Sequence, residues 1–101
     1  MNEYELVFII QPNADEARQA AVKERVAAYI AANGGEVTNM RDWGMRRLAY
    51  PIRKMSSGFY VITRFRLAPN AVAGLQRELR LNEDVLRGLI VRSEEVAAPA
   101  Q

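Results

Sequence analysis

The spacing of the apolar residues switches between a period of two and a period near 3.6, and the order of these switches limits the folds that the chain can adopt. Residues 4–10 are nearly all apolar, which predicts a short strand in the centre of a sheet. Apolar residues then recur at intervals of four over residues 22–30, with two acidic residues at 15–16 and Asn-Gly-Gly at 33–35. This combination predicts one amphipathic helix, with acids at its positive end and a glycine stop.

The middle of the chain has the pattern of a long β-hairpin. Residues 36–52 return to strand-favouring types, and here Gly44 is predicted to form a bulge and Pro51 to lie at the edge of a sheet. The turn is predicted over residues 54–58, which include two serines and a glycine. Residues 59–67 then alternate two different sets of side chains, as a strand with two unlike faces does.

A second helix is predicted to begin at Pro69, and a last strand is predicted over residues 86–92. The order strand, helix, strand, strand, helix, strand is that of the ferredoxin-like βαββαβ sandwich. This is an α+β fold with a four-stranded antiparallel sheet and two helices on one face. We expect one such domain over residues 1–93, a length that can bury a core without disulfides, and a flexible C-terminal tail over residues 94–101.

Two helices can cover only one face of such a sheet, so the other face needs an explanation. The odd-numbered residues of 59–67 are expected to face the helices, which places Tyr60, Ile62 and Arg64 on what we call the uncovered face. Exposed apolar surface of this kind often marks a site of protein interaction. We therefore predict that Tyr60, Ile62 and Arg64 dock a partner protein.

Positive charge is concentrated in residues 41–54, which we call the basic segment. Asp42 is its only acid, and 12 of the 14 cations in the whole chain are arginines, whose planar donors grip phosphate in pairs. The segment therefore predicts a polyanionic partner such as a nucleic acid. Alternative explanations are arginines that lie over a strand surface or pair with Asp42, and a general codon bias toward arginine.

The chain lacks the residues on which many catalytic and metal sites depend. It contains no Cys and no His, so cysteine-histidine and serine-histidine nucleophile pairs are excluded, and neither a metal site nor a cofactor is expected. No apolar run approaches the ~20 residues of a membrane span, and no basic leader precedes the first strand, so we expect a cytoplasmic protein without membrane contact. The alternatives are an acylphosphatase-like hydrolase or ligand-sensing module with a small-molecule pocket, and a module that binds only proteins.

The RNA recognition motif has the same fold and binds single-stranded RNA through aromatic residues of its central strands. Residues 58–65 superficially resemble one of its sequence motifs. When they are aligned on Gly58, however, the stacking positions fall on Phe59 and Val61, which are both expected to face the helices. Any RNA contact is therefore expected to run through arginines and phosphates.

Several segments point to a more specific comparison. They are Tyr-Glu-Leu-Val-Phe-Ile-Ile at 4–10, Gly-Met-Arg-Arg-Leu-Ala-Tyr-Pro-Ile at 44–52, Gly-Phe-Tyr at 58–60 and Leu-Arg-Leu-Asn-Glu-Asp-Val-Leu-Arg at 79–87. In this order, and over about residues 3–93, the chain resembles the bacterial small-subunit ribosomal protein number six family. Gly88 departs from the pattern, because a larger residue is expected there, and the tail is shorter than the acidic extension of some relatives.

The resemblance implies a structural component of the small ribosomal subunit without enzymatic activity or a small-molecule substrate. Such a protein binds the central domain of small-subunit ribosomal RNA together with the eighteenth small-subunit ribosomal protein. The resemblance places Arg46 and Arg47 as RNA contacts, with Arg53 and Lys54 in the following loop as further candidates. Arg41 is added because it belongs to the basic segment.

Overall fold

A computed structural model of the chain describes residues 2–92. Within that range four strands and two helices follow one another in the predicted order. They are β1 (Asn2–Ile10), α1 (Glu16–Ala32), β2 (Glu36–Ile52), β3 (Met55–Leu67), α2 (Pro69–Leu81) and β4 (Val85–Arg92). The strands form one antiparallel sheet in the order β2-β3-β1-β4. This confirms the ferredoxin-like α+β architecture, with β1 central and β2 at an edge; the tail predicted over residues 94–101 lies outside the described residues.

The ends of α1 follow from its sequence. The Asp15 carboxylate accepts a hydrogen bond from the backbone N–H of Arg18 at 2.9 Å, which caps the first turn. At the other end, Gly34 adopts a left-handed φ of +80°, and the N–H of Gly35 donates to the carbonyl of Ile30 at 2.8 Å. These features terminate a helix at glycine, so the predicted stop at 33–35 is confirmed.

The hydrophobic core lies between the two helices and one face of the sheet. Alternate residues of β1 and β3 point into it, and apolar residues of both helices cover them. The fully buried members are Leu6, Phe8, Ile10, Ile30, Val61, Phe65, Leu67 and Leu75. Because Val61, Phe65 and Leu67 are all on the helix side, the predicted orientation of β3 is confirmed.

The turn between β2 and β3 lies earlier than the sequence pattern predicts. Arg53 and Lys54 alone connect the two strands, and residues 55–58 belong to β3, so the turn predicted over 54–58 is wrong. Both turn residues have a left-handed backbone, with φ of +51° and +66°, which suits a two-residue type I′ turn. Ser-Ser-Gly is a common turn composition, whereas Arg-Lys gives no turn signal, which explains the error.

β2 is irregular at three places along its pairing with β3. The register shifts between Val37 and Asn39, between Asp42 and Gly44, and between Arg47 and Ile52. Gly44 has a φ of +86° at the second shift, so the predicted bulge is confirmed. Pro51 lies within the third shift on this edge strand, a position where its missing N–H is tolerated.

The end of the hairpin extends beyond β1 and packs on the sheet face opposite the helices. β1 pairs only with residues 59–67 of β3, so the four residues before them project past it. Leu48 joins Ile9 and Leu86 in a second, smaller buried cluster, and Met55 packs against it. Within the described residues, the uncovered face therefore carries no helix but is shielded at one end by its own hairpin.

Gly88 of β4 faces the core beneath α2. A Cβ at this position would lie 3.0 Å from Cδ1 of Leu79, so the leucine fills the space that a larger residue in β4 would need. The departure from the family pattern at Gly88 is thus accommodated by α2.

Candidate nucleic-acid and partner interface

Asp42, the only acid of the basic segment, pairs with a lysine of α1 and with none of the arginines of the segment. In the ladder it lies opposite Val61, on the helix side of the sheet, where Nζ of Lys23 lies 3.1 Å from both carboxylate oxygens. None of the ion pairs within residues 2–92 involves a cation of the basic segment. The alternative in which Asp42 neutralises these arginines is therefore excluded.

The adjacent residues Arg46 and Arg47 lie on a regularly paired stretch of β2 and so belong to opposite faces. The Arg46 guanidinium lies 5.0 Å from the centre of the Trp43 ring. That ring in turn stacks on Tyr60, with centroids 6.5 Å apart. Arg41 and Arg47 are exposed and make no contact of this kind within the described part of the chain. The basic segment thus presents one arginine held by aromatic rings and two that extend into solvent.

The two cations of the turn have different surroundings. Nη1 and Nη2 of Arg53 donate hydrogen bonds to the carbonyls of Glu83 and Val85 at 2.9 and 3.0 Å. These bonds tie the tip of the hairpin to the loop before β4. Lys54 is exposed and has no hydrogen bond or ion pair within residues 2–92. Arg53 therefore has a structural role alongside its predicted RNA contact, whereas all donors of Lys54 are available.

The three predicted docking residues are together on the uncovered face. In the ladder with β1, Tyr60 lies opposite Ile9, Ile62 opposite Val7, and Arg64 opposite Glu5. Tyr60 and Ile62 are half-buried, and Nε of Arg64 donates to the Glu5 carboxylate at 3.2 Å. The predicted placement is confirmed, and the docking role of these residues stays a prediction.

Sequence reasoning missed several exposed apolar side chains around this face. Trp43, Tyr50 and Leu89 are exposed by 42, 55 and 58%. Leu89 lies opposite Val7 in the ladder, beside Ile62 on the same face. Leu89 follows a register shift at the start of β4, between Val85 and Arg87, and Trp43 and Tyr50 lie at register shifts of β2. A period of two therefore does not assign these side chains to a face.

A family model described as Ribosomal protein S6 matches residues 3–92. The chain belongs to the ribosomal protein S6 family. The crystal structure of 30S ribosomal protein S6 from Thermotoga maritima is similar to it with a TM-score of 0.87 and 29% sequence identity, over 95% of this chain and 91% of that one. The solution structure of the C-terminal domain of the MgtC protein from Mycobacterium tuberculosis has a TM-score of 0.67 at 15% identity, over 97% and 94% of the two chains. The second comparison shows a shared fold alone.

Membership of the ribosomal protein S6 family supports a structural role in the small ribosomal subunit. It favours this role over the acylphosphatase-like hydrolase or ligand-sensing module that the fold alone leaves open. Neither helix within residues 2–92 is long and apolar enough to cross a membrane.

Proposed function

We propose that this S6-family chain is a structural, non-catalytic component of the cytoplasmic ribosome. It binds the central domain of small-subunit ribosomal RNA through the basic segment, while the eighteenth small-subunit ribosomal protein docks on the uncovered face. The observation that carries the proposal is that the exposed arginines of β2 have no carboxylate partner in the described chain. They lie at the edge of a sheet whose adjoining face exposes apolar side chains.

The positive charge of the basic segment and the restrained position of its Arg46 side chain favour RNA as its partner. Arg41, Arg47 and Lys54 keep their donors for an external acceptor, and Arg46 keeps those of its two terminal nitrogens, since its Nε donates to the Trp43 carbonyl at 3.4 Å. Phosphate accepts charge-assisted hydrogen bonds from such groups. The contact of Arg46 with Trp43 at 5.0 Å restrains this side chain before binding, so less rotamer entropy is lost when RNA arrives. Phe59 and Val61 face the core, so the bases do not stack on them, and binding depends on RNA shape and backbone.

The composition of the uncovered face favours a protein partner there. Ile62 and Leu89 lie on either side of Val7 in neighbouring strands and form an apolar centre. The ion pair between Arg64 and Glu5, at 3.2 Å, forms a polar border. An apolar centre with a polar border is the usual anatomy of a protein interface.

The RNA contact is tested by replacing Arg46 with alanine and measuring binding to a transcript of the central domain across a salt series. We expect affinity at low salt to fall on the order of tenfold, and the slope of log affinity against log salt to fall by about one. Arg77→Ala is a matched control, because Arg77 is exposed on α2 away from β2. Unchanged slope and affinity in Arg46→Ala would remove Arg46 from the interface.

The partner contact is tested by Ile62→Asp. We expect binding of the eighteenth small-subunit protein to weaken by at least about tenfold, because a carboxylate is placed in the apolar centre of the interface. Ile62 is only half-buried in the free chain, so its free energy of unfolding should fall by about 1 kcal/mol. Leu81→Asp is the control, since Leu81 is 72% exposed at the end of α2. An Ile62→Asp chain that does not fold, or that binds normally, would contradict the assignment.

The subunit assignment is tested by recovering the protein from cells and following its sedimentation. We expect it to migrate with small ribosomal subunits and to be released by nuclease. If its complexes survive nuclease unchanged, the alternative of a module that binds only proteins is favoured.

A further inference from the structure

A small cleft lies beside β4, which forms the opposite edge of the sheet from β2. Its volume is about 220 Å³, and it lies between the β2–β3 turn, α2 and the first half of β4. Three arginines line it, one from each of these elements: Arg53, Arg80 and Arg87. No Asp or Glu of residues 2–92 is among its lining residues. We call this cleft the arginine notch.

Two of the three arginines are held in position by other parts of the chain. The Arg53 guanidinium donates to the carbonyls of Glu83 and Val85, and the Arg87 guanidinium donates to the Tyr50 hydroxyl. A guanidinium has five N–H donors, so Arg53 and Arg87 both retain donors for a ligand. Arg80 is exposed and forms no ion pair within the described residues, so its charge is also uncompensated there.

The backbone carbonyl of Gly88, one of the lining residues, already accepts a hydrogen bond within the chain. The side-chain amide of Gln76 donates to the Gly88 carbonyl at 3.1 Å, which removes this acceptor from the notch. Among the described groups, the notch therefore offers an anion many donors and no carboxylate. Its 220 Å³ is below the range of about 300–1,000 Å³ typical of sites for drug-sized ligands, so a small group such as one phosphate fits better than a whole cofactor.

We infer that the arginine notch binds one phosphate of the ribosomal RNA backbone, as a second RNA contact that shares only Arg53 with the basic segment. The inference rests on the proposed function. The same donors would also hold a free phosphate ion, so the two sources of phosphate have to be distinguished by experiment. RNA is favoured because the chain belongs to a ribosomal protein family and because Arg53 lies in the turn that ends the basic segment. One RNA fold that follows the hairpin past its tip would reach both surfaces.

The test uses Arg80→Gln in the full chain, which removes a charge without removing a hydrogen bond or ion pair of the described structure. Binding to the central-domain transcript is measured across a salt series, with and without the eighteenth small-subunit protein. We expect affinity to fall on the order of tenfold at low salt and the salt slope to fall by about one. The matched control is Arg77→Gln, one helical turn earlier on α2 and outside the notch, which should change affinity less than about twofold. Thermal melts check that both variants fold.

The outcomes separate the two proposals. If Arg80→Gln binds as the wild type does while Arg46→Ala is weakened, the notch inference is overturned and the proposed function stands. If the wild type itself does not bind the transcript under either condition, the proposed function fails and the notch inference with it. A further arm adds inorganic phosphate to the free protein and follows the arginine side-chain NMR signals. Shifts of Arg53, Arg80 and Arg87 without any loss of RNA affinity in Arg80→Gln would assign the notch to free phosphate and overturn the RNA contact.

Discussion

Thr63 is a polar residue in an otherwise apolar core. Its side chain is completely buried on the helix side of β3, and its hydroxyl has no hydrogen-bond partner within residues 2–92. A buried hydroxyl that loses its water without gaining a partner costs free energy. Thr63 therefore lowers the stability of the fold relative to an apolar residue of the same shape.

Thr63→Val should raise the free energy of unfolding by about 1 kcal/mol, because the substitution keeps the branched shape and removes the unpaired hydroxyl. Denaturant unfolding followed by circular dichroism measures the change. Thr38→Val is the control: Thr38 is exposed in β2, and its replacement should alter stability by less than about 0.5 kcal/mol. A loss of stability in Thr63→Val would mean that the hydroxyl is satisfied after all.

Two arginines of the basic segment have different surroundings, which the sequence alone does not show. Arg46 and Arg53 both belong to the basic segment, and the sequence treats them alike. In the structure Arg46 lies over Trp43, whereas Arg53 donates to carbonyls of the loop before β4. That loop is some 30 residues away along the chain, so no local pattern could have shown the contact. The arginine notch was missed for the same reason, because its members come from three separate elements.

At the scale of elements, the existence and type of each helix and strand could be predicted, because the apolar period changes clearly between them. The least predictable element is the β2–β3 hairpin. Its turn at Arg53 and Lys54 uses residues that rarely favour a left-handed backbone, so the turn signal of the following Ser-Ser-Gly is misleading. Local sequence preference is overridden here by the packing of the hairpin end on Ile9 and Leu86.

Gly74 of α2 also has a role that the local sequence does not reveal. In the sequence it only weakens the prediction of the second helix, since glycine disfavours helices by about 1 kcal/mol relative to alanine. In the structure the Tyr29 hydroxyl of α1 lies over it and donates to the Ala71 carbonyl at 2.8 Å. A Cβ at Gly74 would lie 2.0 Å from that hydroxyl oxygen. The glycine is therefore what lets the two helices approach at this point.

Gly74→Ala should lower the free energy of unfolding by about 1–3 kcal/mol despite the better helix propensity of alanine, because Tyr29 must move. In a Tyr29→Phe background the same change should cost less, since the nearest remaining ring atom would be Cζ at 3.0 Å. Denaturant unfolding of the four chains forms a double-mutant cycle. Ala73→Gly, at an exposed neighbouring position, calibrates the propensity of this helix. Stabilisation by Gly74→Ala would contradict the contact.

At the scale of the whole molecule, the chain has a helix-covered face that supplies stability and an opposite face and edges that expose charge and apolar groups. The number of helices and the parity of β3 were enough to predict this division. They could not predict that the hairpin end would shield part of the uncovered face, since Leu48 and Met55 lie near irregular pairing. Both sides also depend on contacts that close the domain, and within residues 2–92 Asp84 makes several of them.

Asp84 joins the loop before β4 to the start of α1 and the end of β1. Its carboxylate accepts hydrogen bonds from Nε of Arg18 at 3.3 Å and from the Gln11 side chain at 2.9 Å, and its carbonyl accepts from the Gln11 N–H at 2.8 Å. The hydrogen bonds from Arg18 and then Gln11 hold the pKa of Asp84 below its ordinary value. A lowered pKa in the folded state means that the ionised carboxylate stabilises the fold.

The resulting pH dependence has a definite sign. The contribution of Asp84 is fully present above the pKa of an unfolded aspartate, about 3.9, and is lost as the pH falls through the lower pKa of the folded state. Asp84→Asn should therefore lower the melting temperature at neutral pH, and its difference from the wild type should shrink as the pH falls below about 4. Melting curves across that range measure the effect. Glu24→Gln, which removes an exposed carboxylate from α1, should show no such convergence. A constant difference in melting temperature at every pH would mean that Asp84 stabilises the fold through its shape and its hydrogen bonds and not through its charge.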